Sequence, residues 1–148
     1  EPLLLVAPAR WQGASERELF AALPFIRYET DVPLARQIDT ELSRLGVVAR
    51  EIAVIDTMPS VVGSVLAGLG VAVMPKIAVG DAPPGSFYTQ PFGGTTITRR
   101  IGIVQRQVSQ RSDVLSYMRR NLTEGAAGFG LERPDDRHGP DPREAEAI

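Results

Sequence analysis

The chain has 148 residues, 43% hydrophobic and 23% charged, with a formal net charge of −2 and no cysteine. That length suits one domain able to bury its own core. The charge gives no basic field for a phosphate backbone, and the missing cysteines exclude a disulfide framework or a thiolate metal site. No run approaches the ~20 apolar residues that span a bilayer.

Residues 3–7 (LLLVA) read as a strand ended by Pro8. The chain opens at Glu1 without a methionine or a basic leader and runs straight into this strand, so a preceding segment is expected. Ser15 and Glu18 have capping-box spacing and open a short helix through Leu19, Phe20 and Leu23. Residues 25–28 (FIRY) form the next strand. Thr30 and Asp31 are N-cap candidates ahead of Pro33, and Leu34, Ile38, Leu42 and Leu45 then share one helical face that Gly46 stops. Residues 50–55 are a strand, Thr57 caps a helix with Pro59 in its first turn, and residues 71–74 are a strand ended by Pro75. On that second helix Val61, Val62, Val65, Leu66 and Leu69 make the buried side.

After a turn cluster at residues 81–85, residues 87–92 and 98–105 read as strands separated by Gly93 and Gly94. Ser112 caps a last helix with Leu115, Met118 and Leu122 inward and Arg119 and Arg120 near its C-terminal end. Residues 124–148 are rich in Gly, Pro and charge, and are expected to form a disordered tail. The alternation of period 2 and period 3.6 between residues 23 and 75 predicts an α/β fold, a mostly parallel sheet flanked by helices.

Enzyme machinery is hard to build from these residues. The one histidine, His138, falls in the tail, where it cannot orient a Ser or Cys nucleophile or complete a zinc site. Gly68-Leu69-Gly70 follows a helix and enters a strand, the reverse of a dinucleotide fingerprint, and reads as a helix stop. Ser60 and Ser64 form no nucleophile elbow. Glu41 and Arg44, three apart, read as a weak surface pair on the solvent side. Of Arg99 and Arg100, adjacent on a strand, at most one faces a cleft. No cofactor or metal is expected. Asp56 with Glu29, each after a strand, is the remaining enzymatic alternative. The positive signal lies at two helix starts that follow strands, 30–34 and 56–59, whose first N–H groups suit a carboxylate.

The ordered set EPLLLVAP, LPFIRY, AGLGVAVMP and RRIGIVQR followed by an amphipathic helix resembles the LysR-type transcriptional regulators over residues 1–122. The resemblance implies a type II periplasmic-binding-protein-like effector domain: residues 3–92 as the distal lobe, 97–122 as the return of an incomplete proximal lobe. It implies no catalysis, a cytoplasmic homo-oligomer, no membrane partner, and operator DNA bound only through a winged helix-turn-helix not in this chain. A small-molecule effector, an organic or aromatic acid, would lie between lobes against Thr30, Val32, Pro33, Leu34, Thr57 and Met58, with Arg100 and Gly102 on a crossing strand. Its binding would alter the oligomer's geometry on DNA. Many relatives carry a carboxylate where Thr57 stands. A secreted solute-binding protein with the same lobe is the alternative.

Overall fold

The computed structural model describes residues 1–29, 31–94, 97–99, 101–102, 104 and 111–129. It divides into two compact units, Glu1–Gly102 and Ile103–Ile148. In the first, five strands alternate with three helices: β1 (Leu3–Pro8), α1 (Glu16–Ala22), β2 (Phe25–Tyr28), α2 (Pro33–Arg44), β3 (Glu51–Ile55), α3 (Met58–Leu66), β4 (Ala72–Pro75) and β5 (Phe87–Pro91). Two short 3-10 turns, Ala9–Trp11 and Lys76–Val79, follow β1 and β4.

The α/β class holds, and strand direction divides in two. β2 and β3 are parallel, and β4 joins β2 in parallel through the bridge Phe25↔Val71. β1 corrects the expectation of a mostly parallel sheet: it runs antiparallel to β4 (Leu5↔Val73) and to β5 (Leu5↔Gln90). The strands therefore follow the order β3-β2-β4-β1-β5. β1 is an interior strand, paired on both edges and covered on both faces, which is why it reads as an unbroken apolar run.

Period-2 alternation sorts the core into two layers. Leu3, Leu5 and Ala7 join Leu19, Phe20, Phe25, Ile38, Leu42, Val73 and Phe92 under α1 and α2. Val6 joins Ile26, Val61, Val65, Ala72 and Met74 under α3. Each fully buried Leu, Val or Phe contributes about 1.5–3 kcal/mol.

Local signals explain most helix ends. The Ser15–Glu18 box is formed in both directions, and Ser15 N–H donates to Glu18 Oε2 at 2.8 Å. α3 ends in a Schellman turn: Gly68, at φ +80°, donates to Val65 O at 2.9 Å, and Leu69 N–H donates to Ser64 O at 3.1 Å. Gly68-Leu69-Gly70 is thus a helix stop. The expected caps of α2 are corrected. Its N-cap is Val32, with no side-chain bond, because Pro33 takes the first helical position and leaves Asp31 outside. Thr30 lies outside the described residues.

The Glu41–Arg44 pair is also corrected. Glu41 is only 8% exposed, and Arg44 chelates its carboxylate through Nε and Nη2. Arg44 Nη2 also donates to Gly93 O at 3.2 Å, and Gly93 N–H donates to Glu16 Oε1 at 3.3 Å. The pair grips the turn after β5, with the Glu41 carboxylate buried there and the Arg44 side chain still largely exposed.

Burial pushes the Glu16 carboxyl above its ordinary range, opposed by the Gly93 N–H, with Glu41 raising it further and Arg44 lowering it. The ionised form therefore costs stability above the folded-state pKa and nothing below the unfolded one. Glu16→Gln keeps an oxygen for Gly93 and removes the charge. It should stabilise the chain at pH 7 by on the order of 0.5 kcal/mol, a figure reduced for solvent screening. The gain should fade as pH falls toward the ordinary carboxylate value, about 4.3. Urea unfolding at pH 7 and pH 4 measures it, and an equal gain at both values would contradict the assignment.

The second unit contains α4 (Ser112–Gly128). Its N-cap is Arg111 rather than Ser112, and it runs past residue 122 because Glu124, Ala126 and Ala127 favour helix. Residues 124–128, expected to belong to a disordered tail, are therefore helical, and Arg119 and Arg120 stand mid-helix. Residues 130–148, with His138, lie outside the described residues. Leu115 is half-buried, but Met118 and Leu122 are more than half exposed, against the expected inward stripe. The expected strand 98–105 is corrected: Thr98 makes an isolated antiparallel bridge with Pro2, Arg99, Ile101, Gly102 and Val104 lie in no strand, and residues 100, 103 and 105 are outside the described residues.

Candidate functional site

β2, with β3 and β4 parallel on either side, places three carboxyl ends at one edge. The register runs Ile26↔Ala53, Arg27↔Val54 and Tyr28↔Ile55, and Glu29 N–H donates to Ile55 O at 3.1 Å. On the other side Ile26 N–H donates to Val71 O and Val71 N–H to Pro24 O, both at 2.9 Å. The chain passes from β2 outward to β3, then returns across β2 to β4. Strand order reverses at β2, and the crevice beyond such a reversal is where open α/β sheets bind ligands.

Each carboxyl end feeds an element of the site. β2 leads through Glu29 to α2, β3 through Asp56 to α3, and β4 into the 3-10 turn Lys76–Val79. Val32 is extended and half-buried, Pro33 is exposed, and Leu34 is half-buried against the layer under α1 and α2. Met58 is half-buried against the opposite layer, as are Tyr28, Ile55, Ala78 and Val79. Strand order thus brings Val32, Pro33, Leu34, Thr57 and Met58 to one edge. Gly102 is exposed, whereas Thr30 and Arg100 lie outside the described residues.

Two details of the helix starts differ from expectation. Thr57 occupies the N-cap position of α3, yet its hydroxyl makes no cap bond and donates to Ser60 Oγ at 2.7 Å. Pro33 and Pro59 stand in the first turns of α2 and α3, and each removes one of the N–H groups that a helix start would otherwise offer. Leu34, Met58 and Ser60 carry the first-turn donors that remain.

The backbone is strained here. Glu29 has φ +32°, the one positive value among the described non-glycine residues. Such a conformation costs about 1–3 kcal/mol and persists where the surroundings enforce it. Charge at the edge is mixed: Glu29, Asp31 and Asp56 supply carboxylates and Lys76 an ammonium. Sequence reading missed the Lys76–Val79 turn. The signal was there, because β4 was already placed as a strand parallel to β2, and its carboxyl end had to reach the same edge.

Among the described residues no group of His, Cys, Asp or Glu could hold a metal ion, and no helix is long and apolar enough to cross a membrane. The family model described as the LysR substrate binding domain matches residues 1–127. The chain belongs to the LysR substrate-binding domain family. No curated protein matches it. Among solved structures, the LysR domain is similar to the regulatory domain of HypT from Salmonella typhimurium in its apo form. The TM-score is 0.60 at 17% identity, covering 83% of this chain and 61% of that one. It is also similar to a C206 mutant of OxyR from Corynebacterium glutamicum, with TM-score 0.57 and 26% identity over 91% of this chain and 46% of that one. A third likeness is to the CcmR regulatory domain of Synechocystis PCC6803 in complex with 2-PG. Here the TM-score is 0.56 at 12% identity, over 83% of this chain and 63% of that one. The chain thus spans less than two thirds of these relatives' length. The LysR assignment makes this a transcription regulator's effector-binding domain, with the periplasmic-binding-protein-like fold.

Proposed function

We propose that this chain is the effector-sensing portion of a LysR-type regulator. It binds a small organic or aromatic acid against Val32, Pro33, Leu34, Thr57 and Met58, with Thr30, Arg100 and Gly102 completing the site. The observation that carries this reading is the convergence of three parallel carboxyl ends, with the starts of α2 and α3, where strand order reverses at β2. A carboxylate meets the first-turn N–H groups of Leu34, Met58 and Ser60, and Val32, Leu34 and Met58 supply apolar wall. Glu29, Asp31 and Asp56 repel the same charge. Lys76, just past the end of β4, offsets that repulsion, and the acid group seats on the helix starts toward the Lys76 side. One neighbouring structure, the HypT regulatory domain, was solved bromide-bound, an anion on the same fold.

The chain does no catalysis in this reading. Asp56 and Glu29 border a binding edge. Ligand occupancy biases the arrangement of a cytoplasmic homo-oligomer and so the spacing of its DNA-binding parts. Operator DNA is bound by the longer protein.

Calorimetric titration with benzoate, and with benzylamine as the charge-reversed control, tests the site. Benzoate should bind more tightly. Thr57→Val should cost less than about 1 kcal/mol of stability, since the exposed hydroxyl caps nothing. Its affinity for benzoate should fall about tenfold, the worth of one hydrogen bond to a charged group. Equal affinities in wild type, Thr57→Val and Leu34→Ala would place the site elsewhere, and a preference for benzylamine would reverse the ligand's charge.

A further inference from the structure

α2 carries two stripes. Leu34, Ile38, Leu42 and Leu45 pack on the core, while Gln37, Glu41 and Arg44, at spacings of four and three, lie beside them on one face. This second stripe is engaged along the segment by which the chain leaves β5. Gln37 Nε2 donates to Thr98 O at 3.2 Å, and Arg44 Nη2 donates to Gly93 O at 3.2 Å. Glu41 fixes the Arg44 fork and lies against Gly93, where an added Cβ would overlap its carboxylate. Glu16 of α1 holds the Gly93 N–H from the other side.

The segment so gripped is tied in turn to the start of the chain. Leu3 N–H donates to Ile97 O at 2.7 Å, Arg99 N–H to Glu1 O at 2.8 Å, and Arg99 Nε pairs with Glu1 Oε2 at 2.7 Å. The other Glu1 oxygen accepts from Ile77 N–H at 2.8 Å, in the 3-10 turn that follows β4. Both flanks of the candidate site, α2 and the turn Lys76–Val79, are therefore hydrogen-bonded to the same pair of segments, residues 1–3 and 97–99.

We propose that α2 acts as a lever. A displacement of its first turn, which borders the candidate site, is carried by the Gln37–Glu41–Arg44 stripe to Gly93 and Thr98, and so to the pairing of residues 1–3 with 97–99. The stripe is a set of positioning residues and touches no ligand. An α-helix moves as a rigid rod over its three turns, so a shift at Leu34 reaches Arg44 undiminished. The polar stripe converts it into motion of the exit segment because its hydrogen bonds are directional, whereas the apolar stripe can slide. The lever's role as an effector relay rests on the effector reading. Its test uses no ligand, so a failure of either stands apart from the other.

The test is amide hydrogen exchange by NMR on the 148-residue chain, with Leu34→Ala as the perturbation at the start of α2. The reporters are Leu3 and Arg99 N–H; the controls are Ile26 N–H in the sheet and Leu69 N–H at the end of α3. In the otherwise unaltered chain, Leu34→Ala should speed exchange at Leu3 and Arg99 about fivefold or more beyond the controls. In a Gln37→Ala, Arg44→Ala background the same substitution should leave the reporters within about twofold. If that background fails to fold, Gln37→Asn with Arg44→Lys, which shortens both reaches, takes its place with the same expectation. Equal acceleration in both backgrounds would overturn the lever. So would reporters that never move, or a uniform change in reporters and controls, since that is loss of global stability alone.

Discussion

Replacing Phe25 with alanine is expected to destabilise the chain by about 4 kcal/mol, within the range for deleting a buried phenylalanine. The ring is 1% exposed and meets Phe20 edge-to-face, with centroids 5.8 Å apart and planes at 61°. The Arg27 guanidinium stands 5.3 Å from its centroid, and Arg27 is itself held between Asp39 and Glu51. Phe25 also marks where the sheets join: its N–H donates to Arg50 O at 2.8 Å, and it bridges to Val71. The cavity would thus open at a residue that links β3, the entry to β4 and α1. Denaturant unfolding measures the loss, with Phe25→Leu as a companion expected to cost less than half as much. A loss below about 2 kcal/mol would mean that α1 collapses onto the void.

Gly93→Ala should cost about 2–3 kcal/mol, for two separable reasons. Gly93 sits at φ +80°, where an L side chain is strained. Its new Cβ would also overlap the Glu41 carboxylate, which Arg44 holds in place. Making the same change in a Glu41→Ala background removes the overlap and leaves the backbone strain. The cost should then fall to about 1 kcal/mol. An unchanged cost would assign the whole effect to the backbone.

What the sequence made legible was what neighbours along the chain decide. The order of β2, α2, β3, α3 and β4 followed from changes of hydrophobic period, and the Ser15–Glu18 box from a spacing of three. The cap of α2 was misread although a local rule held the answer: proline prefers the first helical position, which makes Val32 the cap. Other features depend on pairings that no local pattern encodes. The apolar run of β1 says that it is covered on both faces, but its direction is set by β4 and β5, far along the chain. Glu41 lies off the apolar stripe and looks solvated, and only the Gly93 turn, from the other end of the unit, buries it. At the site, the helix starts and their prolines were visible. The bond from Thr57 to Ser60 was not, because a threonine at a helix start has several partners within reach.

The place of β1 has a consequence for how the polypeptide is made. Leu3–Pro8 pairs with nothing until Ala72–Pro75 and Phe87–Pro91 exist. At a synthesis rate of about 5–20 residues per second, this wholly apolar strand waits several seconds for its partners. During that interval β2, α2, β3 and α3 can already associate, since their contacts lie close together in sequence. β1 is therefore added late, against β4 at the edge of a β3-β2-β4 group that forms without it, and β5 then pairs on its other side. The nascent chain is most vulnerable to aggregation just before residue 91 emerges, which is when a chaperone that binds short apolar segments would find Leu3–Pro8 free.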